Sequence, residues 1–324
     1  MMKLALSIGY SGAHLENPVA RVQRAEALGY DSVWTAEAYG SDAFSPLAYL
    51  AAVTKRIRLG TGIIQLAART PANAAMTAAT IDALAGGDRM LLGIGVSGPQ
   101  IVEGWYGQPW GHPVPRMRDY VAIIRKILAR EAPVTHAGPE IALPYHGPGA
   151  LGLAKPLKSI LHMNPRIPIY LGTGAAASVR LTGEIADGWL PLGFVPGSLP
   201  EYLPWLEQGF ARAGGGKSLK DLDIVAGVHV RVHADVKAAL AALKPEVALY
   251  VGGMGARGKN YHKDLMTRRG FGEAAARIQE LYLAGRKDEA AAAVPDDWVD
   301  QKSLVGPKAR ILERFRAWAD SGAT

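Results

Sequence analysis

The feature of this sequence that most constrains its fold is a rhythm. Short β-rich apolar runs begin near residues 4, 32, 58 and 90, close to the roughly 30 residues that one strand-plus-helix unit needs. Each run is followed by an Ala-rich stretch of helical period, the signature of βα units on a parallel sheet. The pattern predicts strands over 4–8, 32–36, 58–64 and 90–94. Polar residues followed by proline, at Asn17-Pro18, Ser45-Pro46 and Thr70-Pro71, predict the N-termini of three intervening helices. A fourth helix carries Met117, Tyr120, Val121, Ile124, Ile127 and Leu128 at the three-and-four spacing of a single buried face.

After Arg130 the rhythm breaks into a Gly/Pro-rich segment, 132–168, too long for an ordinary connection and read as an excursion over one face. It then resumes with strands over 169–171, 188–192 and 224–232 and helices over 175–185 and 199–213. Residues 235–306 read as an elaborated seventh connection, with a Gly-rich stretch at 252–258, and a last helix spans 307–321. A chain of 324 residues fits two average domains or one large α/β barrel. The rhythm selects the second: a (βα)8 TIM barrel, one domain over 1–324, with excursions at 132–168 after strand four and 252–306 after strand seven. On this reading the sequence stops before the eighth strand.

Composition narrows the chemistry. The absence of cysteine removes disulfides, thiolate nucleophiles and sulfur-ligated metals. Neither a signal-peptide core nor an apolar run of about 18 residues is present, so a cytoplasmic protein is expected. The net charge of +7 is spread along the chain. Its basic residues are not interleaved with aromatics, which disfavours nucleic acid and suits a small anionic ligand. No serine-hydrolase elbow or H-E-x-x-H zinc motif occurs.

In a barrel, ligands sit at the carboxyl ends of the strands. Three glycine-rich features fall there. Gly172, Thr173, Gly174, Ala175 and Ala176 end one strand and open a helix, forming either an anion site of free backbone N–H groups or simply a tight turn. Residues 93–107 run from a strand end into a loop bearing Val96, Ser97, Gly98, Trp105 and Tyr106, where glycine permits close approach and the aromatics offer flat faces. In the segment 59–64, Gly60 and Gly62 interrupt a central strand and suggest a bulge. The acid–base candidates are Glu37, after the second strand, and Glu103, in the 93–107 loop. His229 and His233 share a strand face but lack a third ligand, so no metal site is expected.

In this order on this rhythm, the glycine features resemble the luciferase-like superfamily, and within it the deazaflavin oxidoreductases that use coenzyme F420. The most specific pieces are Trp34-Thr-Ala-Glu-Ala-Tyr-Gly40 with Asp42, the stretch 95–107, Gly152-Leu-Ala-Lys-Pro-Leu-Lys158 and Gly183-Glu-Ile-Ala-Asp-Gly-Trp189. The resemblance implies a non-prolyl cis peptide at Gly62-Ile63 behind the deazaflavin ring. It implies that Val96, Ser97 and Gly98 line the ring or its chain, and that Gly172 to Ala176 hold the phosphate. Lys155, Lys158 and Arg180 would meet the rest of the anionic tail. It further implies hydride transfer at C5 of the deazaflavin to or from a small organic substrate, and a homodimer. Relatives acting on sugar phosphates have Asp-His where this chain has Glu37-Ala38 and a carboxylate where Gly98 stands, which points away from that substrate class. An FMN-dependent monooxygenase on the same fold, a non-catalytic ligand-binding barrel and a metal-dependent hydrolase at His229 and His233 are the competing readings.

Overall fold

A computed structural model describes residues 2–255 and 258–324. The first 130 residues realise the rhythm as β1 (Ala5–Gly9), α1 (Val19–Ala27), β2 (Ser32–Thr35), α2 (Phe44–Val53), β3 (Arg58–Thr61), β4 (Ile64–Gln65), α3 (Pro71–Leu84), β5 (Met90–Gly95), α4 (Pro99–Gly104) and α5 (Pro113–Ala129). Thr70 caps α3 as expected, its hydroxyl accepting from the Asn73 N–H at 3.2 Å. The second helix begins a residue earlier than Ser45. Asp42 Oδ1 accepts from the N–H groups of both Phe44 and Ser45, so the carboxylate, not the serine, satisfies the first turn. All six residues of the expected α5 stripe are buried. Burial of such a side chain stabilises by roughly 1.5–3 kcal/mol.

The chain continues through β6 (His136–Ala137), β7 (Ala142–Leu143), β8 (Ile169–Thr173), α6 (Ala176–Ile185), β9 (Gly188–Pro191), α7 (Leu199–Ala213) and β10 (Asp223–Ile224). One curled sheet runs β1-β2-β3-β5-β8-β9-β10, with β4 also on β5. Its pairings are all parallel. Thr324 lies between the two ends of this order: its N–H donates to Ile224 O at 3.0 Å and its carbonyl accepts from Lys3 N–H at 2.8 Å.

Two expectations are corrected. The strand expected over 224–232 is split, because after β10 the chain leaves the curled sheet and β11 (His229–Val232) pairs in parallel with β12 (Ser303–Gly306) instead. The second excursion therefore contains a strand as well as α8 (Val236–Ala241), α9 (Lys244–Ala248), a π-helical turn (Leu249–Gly253), α10 (Tyr261–Met266), α11 (Gly272–Leu283), α12 (Lys287–Ala292) and α13 (Asp296–Asp300), before α14 (Lys308–Ala319). The first excursion, 132–168, begins at the C-terminal end of α5 and ends where β8 starts, so both its ends lie at the face opposite the strand carboxyl ends. Its hairpin β6-β7 packs along α5, where Asp119 accepts from Glu140 N–H, Ile141 N–H and His136 Nε2.

Three apolar layers result. Helices α1, α2, α3 and α5 cover the outer face of the sheet, Leu47, Leu50, Ala78 and Ile124 meeting Leu59, Leu92, Ile94 and Ile169. Val179, Trp189, Leu206 and Phe210 continue that cover across α6 and α7, and residues 239–305 hold a cluster of their own around Leu265, Ile278 and Trp298. Inside the curl, Trp34, Leu91 and Tyr170 are packed with their rings edge-on, centroids 5.2 Å apart for Trp34 and Tyr170. Glycine makes the room for them. A Cβ on Gly60 would stand 2.5 Å from the Trp34 ring, and one on Gly188 2.1 Å from the Tyr170 ring. Gly188→Ala should therefore overpack the barrel floor and cost about 2–3 kcal/mol, read as a lower urea midpoint with an unchanged denaturant slope.

Candidate cofactor site at the strand ends

The third strand reaches the mouth through a bulge. Gly60 pairs with Leu91 and Ile64 with Ile94, so four residues advance on one strand against three on the next. Within it the Gly62–Ile63 peptide is cis. The half-buried Ile63 side chain rests on two glycines that pair with one another, Gly95 of β5 and Gly172 of β8. A Cβ on Gly95 would meet Ile63 Cγ1 at 2.8 Å, and one on Gly172 would meet Ile63 Cγ2 at 2.9 Å. The three glycine features, separate in sequence, are thus one surface: a flat apolar ledge bare of side chains except Ile63.

Beside the ledge stands the loop of Val96, Ser97 and Gly98, all half-buried. Ser97 adopts a left-handed conformation, φ 60°, which ends the strand and starts the turn into α4. Across the mouth, Met254 O lies 3.8 Å from the position a Gly98 Cβ would take, so the second excursion forms the facing wall. Glu103 is exposed on α4, accepting from Trp110 N–H at 3.3 Å. The structure does not bring it to the ledge.

Glu37 does reach the mouth, but with both carboxylate oxygens engaged. Oε1 accepts from Gln65 N–H at 2.8 Å and Arg69 Nη1 at 2.7 Å, Oε2 from Ala43 N–H at 3.1 Å and Arg69 Nη2 at 3.0 Å. Gln65 in turn donates its side-chain N–H to Glu37 O. A bidentate ion pair with the carboxylate side chain 3% exposed leaves no lone pair for a substrate proton. This fixes the residue just beyond the bulge, so Glu37 is a positioning residue. Its partner, 32 positions along the chain, carried no sequence signal of its own.

At the helix opening, Gly172 to Ala176 lead into α6, whose first turn has no side-chain cap. The amide groups there remain available to an anion. Gly174 is buried under Tyr261 of α10: a Cβ would stand 2.0 Å from the tyrosine hydroxyl, which donates to Leu192 O at 3.1 Å. Arg268 lies over the same ring, 5.9 Å from its centre. Of the cations expected here, Arg180 lies along α6 and reaches Gln208. Lys158 instead bonds Glu131 O beyond the C-terminal end of α5, away from the mouth. Tyr261 and Arg268 are the residues the sequence reading missed. The sequence does mark the helix of Tyr261: Asn260 caps it, Oδ1 accepting from Lys263 N–H. His229 and His233 do not converge; the former lies 3.9 Å from Glu246 and the latter bonds Asp235.

The chain that builds this site matches a known family along nearly its whole length. Residues 2–324 match the luciferase-like monooxygenase family. The chain belongs to it. Among relatives of this luciferase-like protein, a Mycobacterium tuberculosis protein named as a coenzyme F420-dependent oxidoreductase is 47% identical, covering 100% of this chain and 93% of the relative. A 5,10-methylenetetrahydromethanopterin reductase of Archaeoglobus fulgidus is 30% identical, covering 94% and 86%. In fold, the coenzyme F420-dependent tetrahydromethanopterin reductase from Methanopyrus kandleri superimposes with TM-score 0.81 at 23% identity, covering 100% of this chain and 91% of that one. In this luciferase-like chain, Glu37→Gln should lower stability by about 3 kcal/mol, because Arg69 is left buried without its counter-ion. Urea unfolding measures the loss. The pH profile of turnover should keep its wild-type shape, whereas loss of one limb would make Glu37 the acid or base.

Proposed function

We propose that this protein is a coenzyme F420-dependent oxidoreductase acting on a small organic substrate, with the whole chain working as one barrel domain. The observation that carries the reading is the ledge. Ile63 over Gly95 and Gly172 offers a flat apolar surface, and the free N–H groups of α6 lie one strand end away. A planar ring joined to a phosphate fits these two requirements together. The name of the relative at 47% identity supports the same cofactor.

In this reading Ile63 backs the deazaflavin ring, Val96, Ser97 and Gly98 line its edge and ribityl chain, and Gly172, Thr173, Gly174, Ala175 and Ala176 hold the phosphate. Tyr261 closes over Gly174, and Arg268 adds positive charge beside it. When bound, F420 supplies hydride transfer at C5 of the deazaflavin. The protein's residues orient and shield: the Glu37–Arg69 pair fixes the strand end after the bulge, and the apolar ledge keeps water from one face. Tyr106, whose hydroxyl donates to Ala38 O, walls the side near Glu37. Burial raises its phenol above the ordinary value, so it stays protonated there.

The protein works in this reading as a homodimer, its second copy covering a strip of the first excursion. Leu151, Leu153, Leu157 and Ile160 stand there 69–93% exposed, a run of apolar surface that a lone soluble chain rarely shows.

Two experiments test these statements. Fluorescence titration should show F420 binding that weakens as salt rises, with no affinity for FMN, and Gly172→Val should weaken it about tenfold or more by filling the ledge. FMN copurifying with a protein that ignores F420 would overturn the assignment. Sedimentation should give a dimer that Ile160→Glu converts to monomer; an unchanged species would place the interface elsewhere.

A further inference from the structure

Behind the facing wall lies a second cavity, separate from the ledge. It has a volume of about 180 Å3 and is lined by α9, the π-helical turn, α10, α13 and the first residues of β11 and β12. Leu243, Val247, Val251, Leu265 and Val299 make most of it apolar. Tyr250 separates it from the mouth, its phenol standing beside Tyr10 at the end of β1.

Its polar lining is Lys302, Ser303, Tyr250, His229, His262 and one carboxylate, Glu246. Lys302 enters with its ammonium 4.9 Å from the centre of the Trp298 ring, and among the described residues no carboxylate lies within 4.0 Å of it. Two more donors on the lining residues, Trp298 Nε1 and Ser303 Oγ, are buried and have no hydrogen-bond partner among the described residues. An ammonium in an apolar pocket is costly to leave without an acceptor. The charged groups around Lys302 do not supply one. Glu246, on the same lining, acts on Lys302 only from beyond ion-pair distance and lies 3.9 Å from His229, and Arg269 adds like charge. His262 is held neutral near pH 7, burial lowering it to about 4.

We infer that this pocket binds a small carboxylic acid by its anion, the carboxylate on Lys302 and a short apolar chain against Leu265, Val251 and Val247. The lysine, lowered to about 8 by burial, is still mostly charged at neutral pH, and an anion that pairs with it would relieve that burial. The assignment does not depend on the cofactor. It asks only for an acid matched to a mostly apolar cavity with one ammonium, whether that acid is substrate, product or effector.

Calorimetric titration of the full chain, with and without F420, using hexanoate and its uncharged isostere hexanamide as probes, tests it. Hexanoate should bind in both states and at least about tenfold more tightly than hexanamide. Lys302→Met, close in length and apolar, should abolish that difference while leaving F420 affinity unchanged. Equal binding of acid and amide, or no hexanoate binding by the wild type, overturns the proposal, and this comparison stands even where the variant does not fold. Hexanoate binding that is lost only when F420 is present would place the acid at the ledge instead and equally overturn it. Failure of F420 to bind, with the acid–amide difference intact, would sink the cofactor reading and leave this one standing.

Discussion

A parallel barrel can hold a bulky side chain on its inner wall only where the neighbouring strand gives up its own, and the rest of this molecule depends on how that exchange is arranged. Trp34 fits because Gly60 is bare, Tyr170 because Gly188 is, and Ile63 because Gly95 and Gly172 both are. The first two exchanges fill the floor and close the curl. The third, at the strand ends, does not fill the space but flattens it. The same packing rule that makes the core solid low in the barrel makes a shelf at its top.

Charge is used at the shelf to hold rather than to react. Glu37 and Arg69 neutralise one another through two hydrogen bonds, and the Ala43 and Gln65 N–H groups add two more to the carboxylate, fixing the strand end that follows the bulge. An organic cofactor that brings its own reactive centre asks of its protein mainly geometry and exclusion of water. A site poor in free acids and bases is the expected form of such a protein. The two carboxylates that the sequence offers there are both engaged by the protein itself, Glu37 by Arg69 and Glu103 by Trp110 N–H.

Much of the fold was legible because its signals are local. The βα spacing, the α5 stripe and the Thr70 cap each lie within one turn or one strand, and each is realised. The three glycine features were legible as well, though only as separate places; that Ile63 lies on Gly95 and Gly172 is a contact across strands, with no trace in residue spacing. The misreadings share that cause. Nothing within 224–232 says that its second half will leave the sheet to meet Ser303–Gly306, some seventy residues away. Likewise, Gly and Pro in 132–168 announce an irregular path but not which end of the barrel it crosses. Asp119 decides that by tying the hairpin to the outside of α5. Tyr261 arrives over Gly174 from the far excursion by the same kind of remote contact.

The split seventh strand has an evolutionary consequence. Once β11 abandons the curled sheet for β12, the wall facing the ledge belongs to a unit with its own apolar cluster, from Ala239 to Val305. Mutations inside that unit are absorbed by its own packing before they strain the strands that carry the ledge. A lineage could therefore exchange the molecule it acts upon by rewriting residues 235–306 while inheriting the shelf unchanged, which makes the excursion the place where divergence among such proteins should accumulate.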